Sequence, residues 1–342
     1  METTVDLAAL AGWMDGQGLG AGPIEDATLL GGGTQNILLR FLRAGRTYVL
    51  RRPPPHLRAN SNDTMRREAR MLGALKGTDV PHPGLIAACA AEDVIGAAFY
   101  LMEPIDGFNP STGLPPLHAG SPAVRHRMGL ALVEGIAALG ALDYQALGLS
   151  DFGKVDNYLE RQVARWKAQL DSYAQFPGWT GPDQIPGVDQ VAAWLERHRP
   201  PTFQPGIIHG DYHLANVMFR HDGPELAAIV DWELTTIGDP LLDLGWLLAT
   251  WQEDQQPREF GVNIQPWGGF PSPTELVDHY RPRTSRDMSH IDWYAVLACY
   301  KLGLILEGTH ARACAGQAPK ETGDRLHAHT ISLFERALRW IR

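Results

Sequence analysis

Cysteine is scarce in this 342-residue chain: Cys89, Cys299 and Cys314 are far apart and show no CxxC or paired-loop spacing. That excludes a disulfide framework and a thiolate zinc cluster, and fits a reducing cytoplasm. Long apolar runs are lacking as well. The segment "LLDLGWLLATW" is too short to span a bilayer and holds Asp243, so no membrane span is expected. The amino terminus, "METTVDLAALAGWMDG", has acidic residues and lacks the basic start and long apolar run of a signal peptide. Positive charge is in deficit, 30 Lys and Arg against 39 Asp and Glu, and the net charge of −9 opposes non-specific binding to nucleic acid. Internal repeats and low-complexity segments are absent.

What remains is ordinary globular composition, with 44% hydrophobic and 20% charged residues. The length suits two lobes and therefore a cleft. A short amphipathic helix is expected over Val5–Met14. The stretch "ATLLGGGTQNILLRFLRAGRTYVLRRPPP" reads as strand, glycine loop, strand, tight turn, strand, ended by the prolines. Asn62 or Asp63 is expected to cap a helix running to about Lys76, with Met65, Ala69, Leu72 and Leu75 on one face and Glu68 inside that face. "AAFYLMEPIDG" reads as a further buried strand. Beyond about Glu103 the pattern turns helical, as in "SPAVRHRMGLALVEGIAALGAL" and "VDNYLERQVARWKAQLDSY". The expected class is α+β: a small antiparallel sheet with one helix over residues 1–103, then a larger, mainly helical part over 104–342.

Within the helical part come the β-like runs "GIIHGD", "NVMF" and "LAAIVDWE", with the turn "RHDG" before the last. Asp211 and Asn216 are five apart, and a loop between short strands can turn both toward one cavity. Asp231 ends the apolar run "AAIV", where an unpaired buried carboxylate is costly and a divalent cation removes the cost. Magnesium accepts an Asn carbonyl and an Asp carboxylate beside phosphate oxygens, leaving Asp211 to orient a substrate hydroxyl and accept its proton. Phosphoryl transfer from a nucleotide needs this set of positioning, charge neutralisation and a base.

At this point the chain resembles a known group. "HGDYHLAN" and "IVDWE" look like the catalytic and metal motifs of the aminoglycoside phosphotransferase and choline kinase-like enzymes, relatives of the protein kinases with their HRDxxxxN and DFG motifs. The resemblance implies a bilobal protein-kinase-like fold, ATP and Mg2+ as cofactors, and a small-molecule hydroxyl acceptor as partner. It makes Asp211 the catalytic base, Asn216 and Asp231 the metal ligands, and His209 a supporting residue. Glu233 ranks below Asp231 as a metal-assisting residue. "GGGTQN" stands where a nucleotide-phosphate loop belongs, with Gly32, Gly33 and Thr34 letting backbone amides approach phosphate. In "YVLRR", Val49 and Arg51 share a strand face, and Arg51 stands where kinases have lysine; it can fork onto phosphate oxygens and pair with Glu68. "LMEPI" is similar to the hinge that offers backbone groups of Glu103 and Ile105 to adenine. In "GDPLLDLGWLL", with Asp239 as cap and Pro240 at the first helical position, Asp243 resembles the buried aspartate that holds the catalytic loop. "YLERQVARW" and "KLGLILEGTHAR" look like the subgroup related to the kinase-like domain fused to acyl-CoA dehydrogenases, which implies a hydroxyacyl-CoA acceptor ahead of an aminoglycoside.

Other readings stand beside these. The literal "DFG" at Asp151–Gly153 precedes the HGD loop and reads as a loop before a helix starting near Val155. Glu68 as a solvated helix-edge residue, Arg51 as an edge-strand cation and "GGGTQN" as a plain hairpin loop are the bland alternatives. Trp232 and Trp246 read mainly as core, and His213 as structural. Arg281, Arg283 and Arg286 read as a solvated basic surface. Two functional alternatives remain: a zinc metallohydrolase using His209, Asp211 and His213, and a non-catalytic nucleotide-binding pseudokinase motivated by Arg51.

Overall fold

The computed structural model describes residues 5–31, 36–57, 59–253 and 260–341. In chain order the main elements are α1 (Leu7–Gly16), β1 (Glu25–Leu29), β2 (Ile37–Arg43), β3 (Arg46–Arg52), α2 (Ser61–Leu75), β4 (Leu85–Cys89) and β5 (Phe99–Met102). They continue with α3 (Pro116–Gly120), α4 (Pro122–Ala141), α5 (Glu160–Asp171), α6 (Val188–Arg197), β6 (Gly206–Ile208), β7 (Val217–Phe219), β8 (Leu226–Ile229) and β9 (Thr236–Gly238). The helices α7 (Leu241–Thr250), α8 (Pro273–Tyr280), α9 (Ile291–Cys314) and α10 (Lys320–Trp340) complete the chain. Two compact units result: Met1–Gly107 with Ala227–Thr235, and Phe108–Leu226 with Thr236–Arg342.

The first unit is built on a five-stranded antiparallel sheet of order β1-β2-β3-β5-β4. Side chains alternate across β3 and β5 because strand residues point to opposite faces. Tyr48, Leu50, Phe99 and Leu101 join Leu39, Phe41 and the α1 residues Leu10 and Met14 in one buried cluster. Each such aliphatic or aromatic side chain taken from water contributes about 1.5–3 kcal/mol. The opposite face carries Arg51 and Tyr100, which are cross-strand partners, toward Glu68 of α2.

The second unit is organised around α9, whose Trp293, Tyr294, Val296, Leu297, Tyr300 and Leu304 are all buried. A helix apolar around most of its circumference needs neighbours on several sides, and α5, α6, α7 and α10 supply them. Arg336 of α10 donates to the carbonyls of Leu248, Ala249 and Trp251, satisfying the C-terminal end of α7. No helix among the described residues is long and apolar enough to cross a membrane.

Several local expectations shift. The first helix begins at Leu7, capped by Asp6, whose carboxylate accepts from Ala8 and Ala9. Asn60 is the cap residue of α2, and Asn62 instead accepts from the Ala98 N–H, so a tertiary contact takes the expected capping group. After the Asp151–Gly153 loop, α5 starts at Glu160 rather than near Val155. Asp239, two residues before the helix proper, accepts from the Leu241 N–H, with Pro240 at the cap position. β3 is an interior strand, which rules out an edge-strand role for Arg51.

Candidate active site

The loop after β6 is held from α7. Asp243 stands in the first turn of that helix, and helical side chains lean toward the N-terminus, so its carboxylate reaches back to the loop. Its two oxygens accept from the His209 N–H at 2.7 Å and the Gly210 N–H at 2.9 Å. Burial pushes the Asp243 carboxyl above its ordinary range, while His209 and the two amides pull the other way. Lys301 of α9 adds a third tie, its Nζ donating to the Gly210 carbonyl at 3.3 Å while lying 4.5 Å from the centre of the Trp246 ring. Burial brings the Lys301 ammonium down to about 8 against the attraction of Asp211 and Asp243.

Asp211 follows directly. Trp246, one turn beyond Asp243 on the same helix face, donates its Nε1–H to Asp211 Oδ1 at 2.9 Å. Asn216 donates Nδ2–H to Asp211 Oδ2 at 3.0 Å and to the Asp211 carbonyl at 2.9 Å. That pair of bonds commits the Asn216 amide nitrogen to Asp211. His213 Nε2 lies 3.4 Å from Asp211 Oδ1. Burial raises the Asp211 carboxyl, but the hydrogen bond and charge of His213, with His209 and Lys301, outweigh it and hold the group at about 2. It is therefore ionised at neutral pH. Beside it, a pocket of about 140 Å3 is lined by Asp211, His213, Trp246, Thr250, Val262 and Leu302, among others.

In the first unit a second group forms around Arg51. Its Nε lies 2.9 Å from Glu68 Oε2 and its Nη2 2.7 Å from Asp231 Oδ1. Tyr100 donates its hydroxyl to Glu68 Oε2 at 2.8 Å. Glu68 is 1% exposed, which removes the solvated-edge reading. Burial pushes its carboxyl up to about 7 against Arg51 and the Tyr100 hydroxyl. Burial alone would lower the Arg51 guanidinium, but Glu68 and Asp231 more than offset it, so it stays protonated. Asp231 adopts φ 66°, a left-handed conformation uncommon for a non-glycine residue and frequent at functional sites. Glu233 accepts from Asn36 at 3.3 Å. Val49 is buried on the Arg51 side of β3. The Glu103 N–H donates to the Gly84 carbonyl at 2.8 Å, and Ile105 follows half-buried. Gly32, Gly33 and Thr34 lie outside the described residues; the Leu30 N–H donates to the Leu38 carbonyl.

The structure thus brings Asp211, Asn216, His209 and Asp243 together in one unit, and Arg51, Glu68, Asp231 and Glu233 in the other. Trp246, Lys301 and Tyr100 escaped the sequence reading. Trp246 carried a signal, its three-residue step from Asp243 on a helix; Lys301 and Tyr100 carried none. Among the described residues His209, Asp211 and His213 do not form a group whose ligand atoms converge on a metal; His209 Nδ1 instead faces the Asp211 N–H at 3.4 Å and His213 Nδ1 accepts from the Ala215 N–H at 3.1 Å.

A five-stranded antiparallel sheet unit and a mainly helical unit define a protein-kinase-like phosphotransferase fold. The chain belongs to the phosphotransferase enzyme family, whose pattern matches residues 26–276. It is 32% identical over 288 residues to acyl-CoA dehydrogenase family member 11 of Rattus norvegicus, covering 82% of this chain and 36% of that protein. The chain thus spans little more than a third of that relative. A crystal structure from Ralstonia eutropha, provisionally named an aminoglycoside phosphotransferase, is 32% identical, with a TM-score of 0.80 over 98% of this chain and 99% of that one. The aminoglycoside phosphotransferase APH(4)-Ia, solved as a variant with AMP-PNP and hygromycin B, shares the fold at 15% identity, with a TM-score of 0.56 over 95% and 98% of the two chains.

Proposed function

We propose that the protein is an ATP- and Mg2+-dependent small-molecule kinase that moves the γ-phosphate of ATP to an acceptor hydroxyl, with Asp211 as the base. The observation that carries this is the Asp211 carboxylate itself: ionised, fixed by the Trp246 and Asn216 donors, and lining a pocket. A carboxylate held near 2 is a weak ground-state base and a strong hydrogen-bond acceptor. It orients the hydroxyl, and takes the proton late, once bonding to phosphorus has made the hydroxyl acidic.

The donors proposed for the cation fit a hard ion, since Asn216 and Asp231 offer only oxygen. When bound, magnesium neutralises phosphate charge. The protein's own part is to hold the acceptor, and to keep Arg51 charged beside Asp231 for phosphate oxygens. Asp243 and Lys301 fix the backbone that carries Asp211.

For the acceptor, a hydroxyacyl-CoA is favoured over an aminoglycoside. Among the described residues of the Asp211 pocket, Asp211 is the sole carboxylate, and Trp246, Val262 and Leu302 stand with two histidines, His213 and His329. A polycation needs more negative charge than that, whereas an acyl chain is served by apolar walls. The relative's name, an acyl-CoA dehydrogenase family member, supports the same class.

The test is phosphate transfer, or slow ATP hydrolysis, with Mg2+ in the parent and in Asp211→Ala and Asp211→Asn. The turnover of both variants should fall by about 10²–10⁴-fold, with the isosteric Asn keeping the loop in place. Equal turnover in parent and variants removes Asp211 from the mechanism. A parent that binds ATP and transfers nothing supports a nucleotide-binding pseudokinase.

A further inference from the structure

We propose that the seam between α9 and α10 holds a divalent transition-metal ion of the zinc class, ligated by Glu307, His310 and His327. Glu307 and His310 are three apart on α9, so they share a face. His327 meets them from α10, and one ligand atom from each of the three lies within 4.8 Å of the others. The helices come close here because position 323 is glycine: a Cβ on it would stand 2.3 Å from the Ala313 Cβ.

The chemistry of the cluster is that of a site. Glu307 is fully buried, and a carboxylate there calls for positive charge or several donors. Its Oε2 lies 2.7 Å from His327 Nδ1, and its Oε1 accepts from Trp179 Nε1 at 2.8 Å. The His310 ring stacks on His327 with centroids 4.3 Å apart. His310 Nδ1 is buried and has no hydrogen-bond partner among the described residues. A Glu–His hydrogen bond accounts for one pair and leaves that nitrogen unexplained, whereas an ion uses its lone pair. The outer contacts are those that orient ligands: Trp179 fixes the second oxygen of Glu307, and Cys314 Sγ lies 3.6 Å from His310 Nε2.

Zinc with nitrogen and oxygen ligands at roughly 2.0–2.2 Å separates neighbouring donors by about 3.3 Å, so loading the site opens the Glu307–His327 contact by about half an ångström. Three protein ligands leave a fourth position for water. The site shares no ligand with the Asp211 loop, so the inference stands whether or not phosphotransfer is found.

The experiment uses the full chain, stripped with a chelator and given Zn2+ alone or Co2+ alone, without nucleotide or Mg2+. One equivalent should bind, Co2+ should show the visible absorption of a low-coordinate ion, and Zn2+ should raise the melting temperature. His310→Gln and His327→Gln, both partly exposed positions, should each weaken binding at least ten-fold, with circular dichroism confirming their fold. Should one variant unfold, the other and the Co2+ spectrum of the parent decide. His213→Gln should bind as the parent does. Absence of stoichiometric binding in the parent, unchanged affinity in a folded variant at 310 or 327, or loss confined to His213→Gln overturns the assignment.

Discussion

Arg51 illustrates how one side chain sets the protonation of its neighbours. It sits between Glu68 and Asp231, with Tyr100 closing the far side of Glu68. Burial is the larger force on Glu68 and lifts its carboxyl from 4.5 to about 7. The folded state then binds the proton more tightly than the unfolded chain, so Glu68 contributes stability that is full below 4.5 and lost as pH rises through about 7. Glu68→Gln removes the titration. Urea unfolding of parent and variant between pH 4.5 and 7.5 should show the parent losing stability relative to the variant by on the order of 1–3 kcal/mol as pH rises. A constant difference across that window means that Glu68 is ionised throughout. At this scale the sequence was readable where chemistry is local: the five-residue step from Asp211 to Asn216 lies within a single loop. Trp246 and Lys301 were not readable in their roles, because they reach the loop from 35 and 91 residues away.

Helix α7 connects the scale of elements to the site, since Asp243 and Trp246 hold three consecutive loop residues between them. It can do so only if it lies close to α9, and Gly245 allows that approach: a Cβ there would stand 2.5 Å from the backbone carbonyl of Tyr294. Backbone cannot rotate away as a side chain can. Gly245→Ala should therefore cost about 1–3 kcal/mol of stability by overpacking, measured by denaturant midpoint. Turnover should fall in the same variant at temperatures where it stays folded, because the displaced helix carries both the Asp243 acceptor and the Trp246 donor that hold the loop. Full activity in a destabilised variant would separate packing from positioning. The same helix explains which elements the sequence revealed. Long periodic runs such as α4 and four strands of the sheet stood out, whereas β4, the three-residue β9 and the exact caps of α2 and α7 depend on tertiary partners. Asn62 is the clearest case, its cap-forming oxygen taken by Ala98.

For the whole molecule, charge alone does not select the acceptor. The net charge of −9 is spread along the chain, and Trp251–His290 carries six acidic residues and four arginines, a net of 4 − 6 = −2. The order of the motifs made the family legible, but the acceptor depends on pocket walls assembled from α7, α9, α10 and the segment near Val262, which no linear pattern exposes. Stability offers a direct readout, since a ligand that binds the native state at about 100 times its Kd adds about 2.7 kcal/mol, several degrees for a chain of this size. Mg-AMP-PNP should raise the melting temperature of the parent. A hydroxyacyl-CoA added to that complex should raise it further, while aminoglycosides and choline-like alcohols leave it unchanged. If an aminoglycoside gives the second shift, the acceptor class proposed from the apolar pocket is wrong while Asp211 keeps its role. If no nucleotide shifts the transition, the kinase proposal itself fails, because the roles proposed for Arg51, Asn216 and Asp231 require a bound triphosphate.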